Sequence, residues 1–276
     1  MRSLLVALDD TPAGAVATDF ALSLADRCKA AITGIGILDI DYLTAPSPGG
    51  IGSEYYKFKA DQARLKAARE RNERLVSSFR QKCGARKLAG EVLALEGRPE
   101  EELRGAAGVH DLIVIGRDSD FHGNPVSGPE STVAQILKGN PRPLIVTTET
   151  LREPSRILVA YDGSIPAARS LQIFALLGLT AACEVHVVSI GPREAETERC
   201  VRQATAYLGL YGTKAIGRAV TTATDPAEFM LAEAKSLGMD MLVMGAYGHR
   251  GWRETLLGSF TTRLLAHSTM SLFIHH

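Results

Sequence analysis

The sequence predicts an α/β protein made of two tandem, doubly wound parallel sheets. Three observations predict it: an internal repeat, a regular alternation of helical and extended patterns, and brief β-branched apolar runs. Residues 4–10 read LLVALDD and residues 157–163 read ILVAYDG, with four identities in seven. At the same spacing, AITGIGI at 31–37 matches EVHVVSI at 184–190, while LIVIG at 112–116 matches MLVMG at 241–245. The final pair is LIV at 144–146 and LFI at 272–274. One unit has been used twice, with roughly 25 extra residues inside the first copy. The polar stretch TTETLREPSR, with Pro154, reads as the linker, giving domains 1–150 and 151–276.

The runs LLVAL, ILVAY, VHVVSI and DLIVIG are too short for buried helices and read as strands covered on both faces. Between them, Val16, Phe20, Leu24 and Cys28 recur on one helical face, opened by Thr11 and Pro12. Ser164 and Pro166 open the counterpart. Asp225-Pro226-Ala227-Glu228 supplies an N-cap, an N1 proline and an acidic N3 residue, and Gly238 stands where a C-cap glycine would. This βαβα order is that of a doubly wound sheet. The first copy's surplus falls in TAPSPGGIGSEYY and in a charged helix around Lys57–Cys83, read as mostly a solvated face and given no functional weight.

The 276 residues are 45% hydrophobic, with 31 basic and 31 acidic side chains. Zero net charge argues against a broad basic surface, and so against nucleic acid as partner. No apolar run approaches the ~18 residues of a membrane span. The start MRSLLVALDD turns acidic too soon for a signal peptide. Cys28, Cys83, Cys183 and Cys200 are scattered, against a disulfide scaffold or a structural zinc site. A cytoplasmic location is expected.

Ligands of open parallel sheets bind beyond the carboxyl ends of the strands. In the second copy three places qualify: Tyr161-Asp162-Gly163-Ser164, Ser189-Ile190, and the segment after MDMLVMG. Gly245 and Gly248 allow a sharp turn and close backbone approach to a ligand. Gly258-Ser259 precedes an apolar-periodic helix whose free N–H groups, with the Ser259 hydroxyl, form an anion site. His249, Arg250 and Arg253 add positive charge. The plain alternative is that the first two glycines only end a strand and that Gly258-Ser259 only caps a helix.

Gly-x2-Gly-x9-Gly-Ser after the fourth strand, with Asp-Gly-Ser after the first, resembles the ATP-binding branch of the universal stress protein family, and the whole chain resembles a tandem member. The resemblance implies a Rossmann-like, five-stranded sheet in order 3-2-1-4-5 in each half. It implies that Asp162 and the backbone of Ile190 contact adenine, with Ala160 and Met244 as apolar walls. Gly245, Tyr247 and Gly248 would meet ribose and phosphates. Gly258, Ser259 and Thr261 would hold the phosphate tail of ATP, together with Mg, with Phe260 also among the cofactor-binding residues.

The first copy departs from this pattern. Asp9, Ile37 and Gly116 remain, but Arg117, Asp118, Ser119 and Asp120 follow, and Glu130 replaces Gly258 before Ser131. A carboxylate there satisfies the helix dipole itself and repels phosphate. Asp9-Asp10 and Asp118/Asp120 read as a solvated strand-end cluster, with cation binding as the lesser reading. Trp252 is left between lid and partner contact, and His275-His276 are assigned nothing.

The leading functional expectation is an ATP-binding regulatory protein of the stress response. No GxxxxGK[ST], HExxH or CxxC set is present, and no catalytic residue is assigned. A slow ATP hydrolase or nucleotidyl-transfer enzyme using His249 or Asp162 is the alternative, as is a scaffold with vestigial sites. The last strands, Leu144–Thr147 and Leu272–His275, are expected to pair the halves as an intramolecular pseudo-dimer. A homodimer of whole chains is a weaker expectation.

Overall fold

The computed structural model describes residues 1–46, 53–122, 131–222, 224–246 and 258–276. The first half runs β1 (Ser3–Ala7), α1 (Pro12–Cys28), β2 (Ala31–Leu38), α2 (Ile40–Leu43), α3 (Ser53–Ala85), β3 (Gly90–Glu96), α4 (Pro99–Ala107), β4 (Leu112–Gly116), α5 (Thr132–Leu137) and β5 (Leu144–Thr147). The second runs β6 (Arg156–Ala160), α6 (Ile165–Leu176), β7 (Glu184–Gly191), α7 (Glu194–Leu210), β8 (Ala215–Thr221), α8 (Pro226–Ser236), β9 (Met241–Gly245), α9 (Ser259–His267) and β10 (Ser271–His275).

The ten strands form one sheet in the order β3-β2-β1-β4-β5-β10-β9-β6-β7-β8. Each half therefore has the expected 3-2-1-4-5 order. Every pairing is parallel except β5 with β10, which is antiparallel with Ile145 opposite Phe273. Successive side chains of a strand face opposite ways. Leu4 and Val6 of β1 enter one apolar layer with Phe20, Phe79, Phe174 and Phe273. Leu5 and Ala7 enter the other, with Leu103, Ile113, Met230 and Leu242. Both layers run through both halves.

The helix starts follow their sequence signals. Thr11 Oγ1 accepts from the Gly14 amide at 3.0 Å, Ser164 Oγ from Ala167 at 3.3 Å, and Asp225 Oδ1 from Ala227 at 3.0 Å. Gly238 follows α8 at φ 61°, the left-handed geometry of a terminating glycine. The charged helix is longer than its sequence span suggests, and one face of its largely exposed length is buried. At 33 residues, α3 is roughly 50 Å long at 1.5 Å per residue. Its later turns bury Val76, Phe79 and Cys83 against the sheet. The crossover from β2 therefore enters the core.

Gly116 and Gly245 end the fourth strand of each half beneath a helix start. A Cβ on Gly116 would lie 2.5 Å from the Gly14 nitrogen, and one on Gly245 2.6 Å from the Ala167 nitrogen. Both contacts are with backbone, so neither neighbour can swing aside. Gly116→Ala and Gly245→Ala should each lose about 1–3 kcal/mol in denaturant unfolding, as overpacked sites do. Unchanged midpoints would remove this packing role.

His275, in β10, is buried with Nδ1 unpartnered among the described residues. Burial, with His276, Arg169 and Arg142 adding positive charge, pushes its pKa from 6.5 down to about 4. The unfolded chain therefore binds the extra proton in that window, and stability falls as pH drops from 6.5 toward 4. The loss should be on the order of 1–3 kcal/mol. Urea unfolding across this range should show it, and His275→Phe should flatten the dependence.

Candidate functional site

The carboxyl ends of β6, β7 and β9 bring the sequence-selected residues of the second half to one end of the sheet. Ala160, Tyr161, Asp162 and Ile190 are half-buried there, and so is Gly245. Met244 is buried in the apolar layer below. The Asp162 carboxylate accepts from the Ser164 amide at 2.9 Å, which fixes the turn into α6. Burial pushes the Tyr161 phenol up, with Cys200 and Asp162 adding to it. Ile165, 69% exposed at the first turn of α6, leaves an apolar side chain beside this end.

The helix α9 begins with Gly258 as N-cap, which has no side chain to cap the first turn, and no side-chain cap is made among the described residues. Ser259 is exposed as the first helical residue and Phe260 is half-buried. Thr261 is buried, and its hydroxyl donates to the Ala246 carbonyl at 2.6 Å, joining the helix to the end of β9. That hydroxyl proton is committed to the protein backbone rather than to a ligand. Uncapped N–H groups at a helix start, with an exposed hydroxyl beside them, can bind an anion. Tyr247, Gly248, His249, Arg250, Trp252 and Arg253 lie outside the described residues.

At the matching place in the first half the same positions are closed. Asp9 is 4% exposed, and Leu8 and Ile37 are buried with it. The Ser119 hydroxyl and the Thr11 hydroxyl and amide all donate to the Asp9 carboxylate. Burial pushes the Asp9 carboxyl above its ordinary value, although these hydrogen bonds pull it down. Asp120 is buried too, with Oδ2 unpartnered among the described residues. The reading of these acids as a solvated cluster is therefore corrected for Asp9 and Asp120, while Asp10 is exposed. The start of α5 is capped by Ser131, whose Oγ accepts from the Ala134 amide at 3.3 Å. Glu130, the expected closing group, lies outside the described residues.

Sequence reasoning missed Phe121 and the α3 residues Arg71, Asn72 and Leu75 that close this end. Leu8, Asp9, Ile37, Asp120 and Phe121 line a cavity of about 10 Å³ with Arg71, Asn72 and Leu75 of α3. That is room for about one water. The Arg71 guanidinium donates to the Phe121 carbonyl at 2.7 Å across 50 residues of sequence. His122 stacks on Tyr42 with ring centroids 3.9 Å apart, and its Nε2 lies 2.9 Å from Asp39. The available signal was positional: the first copy's surplus leaves β2 at the ligand end of the sheet. Among the described residues no group of three His, Cys, Asp or Glu could hold a metal ion. No helix among them is long and apolar enough to cross a membrane.

Residues 191–276 match the family model described as Universal stress protein family. A universal stress protein of Synechocystis is 26% identical over 167 residues, which is 60% of this chain and 56% of that relative. The match thus spans little more than half of the relative's length. Among solved structures, a universal stress protein from Archaeoglobus fulgidus aligns over 99% of this chain and 97% of its own. It has a TM-score of 0.72 at 16% identity. A functionally unknown Pseudomonas aeruginosa protein aligns over 100% and 92%, with a TM-score of 0.61 at 15% identity. These likenesses show the α/β fold over the whole length. The likeness to the Universal stress protein family model is confined to residues 191–276, within the second half.

Proposed function

We propose that this chain is a cytoplasmic, ATP-binding regulatory protein of the stress response, with one nucleotide held by domain 151–276 and none by domain 1–150. The observation that carries the reading is the start of α9, which has no side-chain cap among the described residues and is set at the same sheet end as half-exposed Tyr161, Asp162 and Ile190. The α9 amides and Ser259 take the phosphates. Asp162 and the Ile190 backbone take the base, a carboxylate accepting from its amino group and a strand-end amide meeting its edge. Ala160, Met244 and Ile165 provide apolar contact. Any Mg arrives with the phosphates, since Mg is held mainly by phosphate oxygens, water and one or two carboxylates rather than by a protein cage. The two halves act as a pseudo-dimer through β5 and β10. In this reading the site holds nucleotide, with Asp162 serving the base rather than a water.

Isothermal titration should give one ATP per chain. Gly258→Glu should abolish binding, by bulk and by repulsion together. Two like charges 4 Å apart cost roughly 4 kcal/mol at an effective dielectric near 20, about a thousandfold in affinity. Asp162→Ala should weaken ATP and ADP alike, whereas Ser259→Ala should weaken ATP more. Two equal sites per chain, or unchanged ATP binding in Gly258→Glu, would overturn the assignment.

A further inference from the structure

We propose that the first half carries a closed pocket for a ring-bearing ligand whose occupant is the chain itself. Phe121 takes the ligand's place, and Arg71 and His122 clasp it there. The inference rests on the reading of Asp162 and Ile190 as the base-binding positions of the second half. Their counterparts Asp9 and Ile37 line one cavity with Phe121, an aromatic side chain only 2% exposed. Phe121 is in the apolar layer that also contains Ala7, Ile35, Ile37 and Ile115. An aromatic ring thus sits where the repeat places a base.

The segment carrying the ring is tied at every step. The Ser119 amide donates to the Gly116 carbonyl at 3.1 Å, and its hydroxyl donates to Asp9. The His122 amide donates to Asp120 Oδ1 at 2.9 Å, while the imidazole bridges toward Asp39 and stacks on Tyr42. Arg71 fixes the Phe121 carbonyl and lies 3.9 Å from the Asp10 carboxylate. Asn72, one residue on, occupies the space over Gly36, where an added Cβ would meet its Oδ1 at 2.1 Å. Four separate pieces of chain, around Asp9, Asp39, Arg71 and Phe121, thereby hold one ring in one place. Asp120 Oδ2, buried without a partner among the described residues, is the polar atom this arrangement leaves unserved.

Two measurements on the full chain test this. Hydrogen exchange without nucleotide compares the wild type with a variant carrying Arg71→Ala and His122→Ala. The Thr11 and Ser119 amides should exchange about tenfold faster or more in the variant, with Ile145 and Val146 unchanged, as local opening requires. Unchanged exchange at Thr11 and Ser119, or an equal rise at Ile145 and Val146, would overturn the clasp. Equilibrium dialysis with adenosine then compares wild type with Phe121→Ala, which should bind one more adenosine per chain. An equal count would overturn the assignment of the ring as a ligand surrogate. Should Phe121→Ala fail to fold, the same count is taken on the Arg71/His122 variant, with the same outcomes. Both measurements are differences within the first half, so absence of ATP binding in the second half would sink the proposed function without touching them.

Discussion

The antiparallel pairing of β5 with β10 is the contact on which the rest of the architecture depends. Each half of the chain ends in a four- or five-residue strand whose outer edge would present unpaired amides and carbonyls. Joining the two edges satisfies both and makes one sheet of ten strands. The apolar layers then become continuous. Phe273 of β10 lies edge-on to Phe174 of α6, with centroids 4.9 Å apart, in the same layer as Ile145 of β5. The remaining sheet edges, β3 and β8, are displaced to the far ends, where the strands are the least buried of the sheet. Strand-end chemistry is thereby presented twice on a shared scaffold.

The two copies use that scaffold differently. Both keep the close approach of the fourth strand to the first helix, which a glycine at 116 and at 245 makes sterically tolerable. They diverge immediately above it. In the second half a short connection from β7 leads directly into α7, and the residues at the strand ends remain half-exposed. In the first half the longer crossover inserts α2 and α3, and α3 brings Arg71 and Asn72 over the same positions. Arg117 also reaches across the junction, donating to the Ser268 carbonyl at 3.0 Å just beyond α9. Arg117, next to the segment that closes the first copy, is therefore anchored just beyond the helix that begins at Ser259 in the second.

Much of the fold was legible because its signals are local. The repeat is read by comparing short runs, and the caps at Ser164 and Asp225 and the terminating Gly238 depend on residues a few positions apart, each standing where its chemistry requires. Gly245 was legible as a special position, but the backbone of Ala167 that demands it was not. The first half's closed pocket was hidden for the same reason. Arg71 and Phe121 meet across 50 residues, and nothing in a charged helical run marks which arginine turns inward. The acids at 9 and 120 carry no sequence sign of burial. Their environment is made by a crossover helix whose charged face argues for solvent and whose later turns bury Phe79 and Cys83.

Loss of the glycine motif in the first copy and burial of Asp9 have a common consequence. A carboxylate that already accepts three hydrogen bonds from Ser119 and Thr11 keeps about one of its roughly four acceptor positions for a ligand's amino group. Removing the Phe121 ring would free the space beside it while leaving the Ser119 bond in place. Ser119 occupies the position where the second copy has Gly248, so the residue that removes the glycine turn also supplies the hydroxyl that engages the acid. Charge repulsion from Glu130 is then unnecessary to explain a closed first half. Closure follows from hydrogen bonds to Asp9, a ring over Ile37 and a serine that caps its own helix, with each interaction removing one feature of an open strand-end site.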